Sequence, residues 1–160
     1  MTTASGEASH AEGGGSIAAG KSSHAEGEAL AIGACSHAEG WSESINSLTL
    51  SETYSKNDTI IHVTEIYENV SVGAPIHYNG EYRVIVSIDD NYITLNEGFS
   101  FDITQGSMID VYTGASGDHS HVEGKYTTAS GYYTHAEGVE TTASGLASHA
   151  EGNGTTASGE

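Results

Sequence analysis

A twelve-residue phrase dominates this chain. "TTASGEASHAEG" at 2–13 returns as "TTASGYYTHAEG" at 127–138 and "TTASGLASHAEG" at 141–152. The unit is T-T-A-S-G-x-x-S-H-A-E-G-x-x, 14 residues long. Three copies occupy 2–13, 14–27 and 28–40, and three more occupy 113–124, 125–138 and 139–152. The period is too short for helix-pair repeats. Gly at every fifth to seventh position, with Ser and Thr between, disfavours helix further. Two five-residue strands joined by two-residue turns account for the whole unit. Each unit is then one coil of a flattened solenoid, stacked about 4.8 Å above the last.

Strand residues alternate between faces. In "SHAEG" the first, third and fifth residues are Ser, Ala and Gly; in "TTASG" they are Thr, Ala and Gly. Two such faces meeting make a thin roll with almost no apolar core. Burying Ala and Gly removes little apolar area, at roughly 25 cal/mol per Å². The other face of the "SHAEG" arm carries His10, Glu12, His24, Glu26, His37 and Glu39, then His121, Glu123, His135, Glu137, His149 and Glu151. On the outward face of the other arm, "SIAAG" and "ALAIG" place Ile17, Leu30 and Ile32. Apolar residues there imply a cover, and identical chains around a symmetry axis supply one.

At "ALAIG" followed by "SHAEG" the repeat resembles the head repeats of YadA-like trimeric autotransporter adhesins. The resemblance covers the repeat coils. It implies a homotrimer of left-handed parallel β-rolls, with Ile17, Leu30 and Ile32 packed at the trimer axis. The Thr- and His-rich form of most coils resembles more closely the repeats of phage and prophage tail fibres. Adhesin heads of this kind carry insertions, and residues 41–112 resemble one in placement.

That stretch has a different character. It holds four Gly in 72 residues, six of the nine Tyr, and all the Trp, Phe and Pro. Alternation in "EYRVIVSID" sets Tyr82, Val84, Val86 and Ile88 on one face. "TIIHVTEI" and "SMIDVY" read as further strands, and Asn79-Gly80 marks a type I′ hairpin. The expected division is therefore roll coils at 1–40, a small antiparallel β insert at 41–112, and roll coils again at 113–160. The fold class is all-β. Because the roll residues on both sides are complete coils, the insert should replace one corner between Gly40 and Thr113.

Charge narrows the partners. The formal net charge is −18, with only four Lys and Arg. Such a surface repels nucleic-acid phosphates and anionic lipid, so neither is an expected partner, and no apolar run is long enough to span a membrane. The chain opens inside a repeat, which suggests no signal peptide and a piece of a longer fibre. A lone Cys35 forms no internal disulfide. The repeat lacks the Asp-rich turns of calcium solenoids. A short outward row of Thr128, Ser130, Thr142, Ser144, Thr156 and Ser158 is a poor ice-binding array. His and Glu of one coil are expected about 7 Å apart, which argues against a metal, and the Glu columns are expected to raise the histidine pKa values. His62 and His77 read as lone strand histidines. No catalytic, cofactor-binding or metal residues are assigned, no cofactor is expected, and the chain is read as no enzyme.

The function expected is a structural fibre or head segment of a trimeric attachment protein on a phage tail. Its alternative is a bacterial adhesin head, which would place it on the bacterial cell surface. A fibre-borne polysaccharide depolymerase or processing enzyme is the rival from another class. The partner would be a cell-surface glycan or protein receptor, and Tyr78, Tyr82 and Tyr92 of the insert are its candidate contacts.

Overall fold

The computed structural model describes residues 2–42 and 44–159. All regular structure among them is β. The chain divides into two compact units, Met1–Glu43 with Thr113–Glu160, and Ser44–Tyr112.

The first unit is a parallel roll of two sheets. One has seven short strands in chain order: Thr3–Ala4, Ile17–Ala18, Leu30–Ala31, Gly114–Ala115, Thr128–Ala129, Thr142–Ala143 and Thr156–Ala157. The other has six: His10–Glu12, His24–Glu28, His37–Trp41, His121–Lys125, His135–Val139 and His149–Asn153. Registers are in step, so His lies opposite His and Glu opposite Glu. The insertion interrupts the sequence and leaves the roll continuous. Ala31 pairs with Ala115, His37 with His121 and Trp41 with Lys125.

The two arms are unequal, unlike the paired five-residue strands expected. The physical reason is a tight turn at each Gly-x-x-Ser. Ser23 N donates to Gly20 O at 3.2 Å, and Ser36 N donates to Gly33 O at 3.3 Å. The third turn residue is left-handed, with φ of 56° at Ser22 and 54° at Cys35. The long strand therefore starts at His and runs one residue past Gly. Trp41 ends such a strand, and Ser42 N donates to Glu28 O at 2.9 Å. Trp41 and Ser42 thus belong to the roll, where the sequence had placed them in the insert.

Inside the roll, Ala18, Ala31, Ala115, Ala129 and Ala143 face Ala25, Ala38, Val122, Ala136 and Ala150, all buried. Hydroxyls flank this row. Thr141 Oγ1 is buried without a hydrogen bond among the described residues, and those of Ser16, Ser23, Ser36 and Thr134 are satisfied by main chain. Ser23, Ser36 and Thr134 each donate to the carbonyl of the Gly three residues before, at 2.7, 2.7 and 2.8 Å. Ser16 Oγ reaches Gly27 O at 2.7 Å. The repeat uses Ser or Thr here because an inward hydroxyl caps a turn carbonyl that is otherwise buried. Glycine is required by contact between coils. A Cβ on Gly131 would lie 2.4 Å from Gly145 O, and one on Gly138, at φ +118°, would lie 2.0 Å from Gly152 O.

The outward row of the short arm is not uniform. Ile17 and Ile32 are half-buried in the single chain. Leu30 is fully buried there, at 3% exposure, so it offers no outward surface. Thr128 is also buried.

The second unit is a six-stranded antiparallel sheet. Its order is Ser44–Thr49, Met108–Tyr112, Pro75–Tyr78, Glu81–Asp89, Tyr92–Leu95 and Ile60–His62. Asn79 (φ 47°) and Gly80 (φ 87°) form the expected tight hairpin, with Tyr78 opposite Glu81. The core is Leu48, Leu50, Ile61, Val63, Ile76, Ile85, Ile93, Leu95, Ile109 and Val111, closed by Phe99 and Ile103. The expected apolar face of Glu81–Asp89 is corrected. Ile85 points inward and Val86 is exposed, so the alternating face that holds Tyr82, Val84 and Val86 is turned away from the core. A bulge between Ile85 and Ser87 then shifts the register. Beyond the bulge Ile88 lies opposite Ile93 and packs on the core.

Gly138→Ala should destabilise the roll by more than about 2 kcal/mol, since it combines a strained φ with a main-chain clash. Gly14→Ala, with nothing within 4 Å of its Cβ, should stay within about 0.5 kcal/mol of the parent. Denaturant midpoints of the two variants check this; equal midpoints would refute the contact-limited packing.

Candidate functional site

The in-step register gathers the repeat's polar residues into one ladder. His24 stacks on His37 at 4.8 Å, His37 on His121 at 4.8 Å, His121 on His135 at 4.7 Å and His135 on His149 at 4.7 Å. These rings are within 9° of parallel. His10 meets His24 edge-on at 90°. The glutamates lie beside them. His10 Nε2 is 3.4 Å from Glu12 Oε2, and His24 Nε2 is 3.2 Å from Glu26 Oε1. The separation of about 7 Å expected between His and Glu of one coil holds for strand positions two apart. The side-chain tips lean together, so it does not describe the ligand atoms. The Nε2 atoms of His24, His37, His121 and His135 are buried and make no hydrogen bond. The 3.2 Å approach of His24 to Glu26 is close but not aligned as one.

Stacking also sets the protonation. His121 is held below its ordinary value of 6.5, first by burial, then by the charges that His37 and His135 would carry. Glu123 and Glu39 act the other way and are outweighed. The expected upward shift is therefore reversed at this residue, because the ring is packed between two rings before it meets a carboxylate. Glu12 is lowered, chiefly by its hydrogen bond with His10.

The candidate tyrosines fall in three different places. Tyr78 packs against the core, with its ring 6.1 Å from Phe99 and 5.7 Å from Phe101. Tyr82 is half-buried on the other side of the sheet against His77, at 4.6 Å, and burial pushes its hydroxyl pKa up. Tyr92 is exposed and stacks on His62 at 4.3 Å, where His62 Nδ1 is 3.5 Å from Glu52 Oε1. They make no common site, and Tyr92 alone is exposed. The roll has exposed aromatics of its own that the sequence reading passed over: Trp41, Tyr132 and Tyr133. Tyr133 stacks on His119 at 5.0 Å, and Lys125 Nζ sits 5.5 Å from the Trp41 ring centre. The signal for the two tyrosines was a Tyr-Tyr pair in a turn that other coils fill with residues such as Glu-Ala or Lys-Ser.

No family model matches the chain, and no curated protein matches it. Among solved structures it is similar to the tailspike gp49 of Pseudomonas phage LKA1, with TM-score 0.39 and 8% identity over 84% of this chain and 28% of that one. It is also similar to the gp54 tailspike of Acinetobacter baumannii bacteriophage AP22, solved in complex with A. baumannii capsular saccharide, with TM-score 0.37 and 9% identity over 89% and 26%. A third is the tailspike gp61 of Pseudomonas phage phi297, with TM-score 0.36 and 10% identity over 84% and 30%. The chain spans less than a third of each neighbour's length. Likeness at this level concerns architecture alone. One expectation is corrected by it. The neighbours are tailspikes, one of them holding a capsular saccharide, so the reading of the chain as no enzyme does not stand.

With chelator present, the melting temperature should fall as pH drops below about 6.5, the ordinary histidine value. Below that point the unfolded chain takes up a proton that folded His121 resists, so stability is complete above it and lost beneath it. Melts from about pH 7.5 to about pH 5 on the parent and on His121→Gln test this. The variant should show the shallower decline; a parent profile that rises on acidification would reverse the assignment.

Proposed function

We propose that the chain is a segment of a homotrimeric phage tail fibre or tailspike that attaches the virion to its host. The roll forms the shaft, and the insert serves as a contact surface for a host glycan or protein receptor. The single observation that carries this reading is the unbroken roll: coils separated by the insertion stack in full register. A rigid repeat that accepts a folded excursion without losing register suits a fibre that displays variable surfaces. Loop-closure cost grows slowly with length, so the excursion is tolerable.

Trimerisation is supported by the core itself. Each coil buries little beyond alanines and hydroxyls, and Ile17 and Ile32 remain partly exposed. Three chains meeting along that row would cover them. The Thr- and His-rich repeat directs the choice toward a virion tail, and the bacterial-surface option is not carried forward. A saccharide is the first ligand class to test, since one tailspike of similar architecture was solved with one, and Tyr92 is the exposed ring best suited to stack on it.

Sedimentation at micromolar concentration should return a trimer, and Ile32→Asp should weaken it far more than Glu137→Gln, because an unpaired buried carboxylate costs several kcal/mol. A folded monomer would end the trimer reading. Deleting 43–112 and joining Ser42 to Thr113 leaves His37 and His121 14 positions apart, one ordinary coil. That variant should stay folded and trimeric by circular dichroism and sedimentation while losing glycan-array binding, and Tyr92→Ala should weaken binding about tenfold, within the range of an aromatic contact. Full binding by the deletion variant would move recognition to Trp41, Tyr132 and Tyr133 on the roll. Shortening of a bound polysaccharide would make the surface catalytic.

A further inference from the structure

We propose that the histidine–glutamate ladder binds divalent transition-metal ions, one in each half of the roll, through two imidazoles and one carboxylate. The juxtaposition is direct. In four groups the ligand atoms all lie within 4.8 Å of one another: His10, Glu12 and His24; His24, Glu26 and His37; His121, Glu123 and His135; His135, Glu137 and His149. Four of the Nε2 atoms are buried without a hydrogen bond. Such an atom has lost hydration without a hydrogen bond to replace it, and a metal bond supplies one partner.

The donor set selects the ion. Imidazole with carboxylate suits Zn²⁺, Ni²⁺ or Cu²⁺, whereas Ca²⁺ and Mg²⁺ prefer all-oxygen sites. The group around Glu26 is the most enclosed, with all three residues half-buried and the carboxylate already 3.2 Å from His24 Nε2. Zn–N bonds are about 2.1 Å, so two imidazoles sharing an ion need nitrogens closer than the 4.7–4.8 Å between stacked ring centres. One ring must turn about its own side-chain bonds. The edge-on pair His10 and His24 shows that the backbone spacing admits such a turned ring.

Shared residues fix the count. His24 belongs to both groups of the first half and His135 to both groups of the second. Without a bridging ligand each half therefore holds one ion, two per chain. The ions would also relieve a column of carboxylates stacked in register on a chain of net charge −18. Nothing in this inference depends on host attachment.

The test uses untagged full-length chain, stripped with chelator and titrated with Zn²⁺. Calorimetry and elemental analysis should give two saturable ions per chain. His24→Gln and His135→Gln should each lose one, and the double variant both, with a melting temperature in chelator that shows each variant folded. Affinity at the altered half should fall at least about tenfold, since even outer-shell changes cost that much. Should a variant fail to fold, ring resonances of the parent decide. Substoichiometric Zn²⁺ should shift His24 and His135 and leave His77 and His119, outside the ladder, in place. Absence of saturable binding, full binding by either variant, or first shifts outside the ladder would overturn the proposal.

Discussion

The main-chain ladder between successive coils is the constraint on which the roll depends. Ile32 N donates to Ala115 O at 2.8 Å and His37 N to Ser120 O at 2.8 Å, and equivalent bonds join the other coils. Those bonds form only if consecutive coils approach at strand spacing all the way round. At the two Gly columns, up to the last glycine of each, a Cβ would collide with the next coil's carbonyl. The interior is made almost wholly of alanines, with Val122 among them, so the two sheets lie close together. A roll of this type is held by hydrogen bonds and close small-atom contact more than by apolar burial.

In-register stacking has a consequence for side chains. Each position of the repeat meets its own copy in the neighbouring coils, so a single histidine per unit becomes a column of rings. The rings desolvate one another, which is why His121 resists protonation despite the glutamates beside it. The glutamates are brought together by backbone register and not by mutual affinity, and the tips of His10 and His24 lie 3.4 and 3.2 Å from Glu12 and Glu26. The most unusual chemistry of the chain is thus produced by a fold whose local units are chemically plain.

The insert is built on a different principle. Its core is a cluster of branched and aromatic residues closed by an antiparallel sheet, and Arg83, nearly buried, is held by Glu81 and the Gly98 carbonyl and lies over Phe99. The roll buries alanines and hydroxyls in place of such a cluster, so the two units draw on different sources of stability.

Much of the roll was legible in the sequence. The 14-residue period specified one coil, the alternation of Ser, Ala and Gly specified the inward face, and Asn79-Gly80 specified a hairpin, because each is a local property of φ, side-chain volume and spacing. The tertiary structure alone decided the rest. The Gly-x-x-Ser turns shortened one arm, the apolar face of Glu81–Asp89 was turned outward up to Val86 with a bulge returning Ile88 to the core, and Leu30 was buried within its own chain. Tyr78, Tyr82 and Tyr92 were dispersed to three surroundings. The distance from His24 to Glu26 and the direction of the His121 shift depend on how rings from separate coils lean and cover one another. Residues far apart along the chain, His37 and His121 among them, become neighbours only when the coils stack, and no local pattern carries the positions of their side-chain tips.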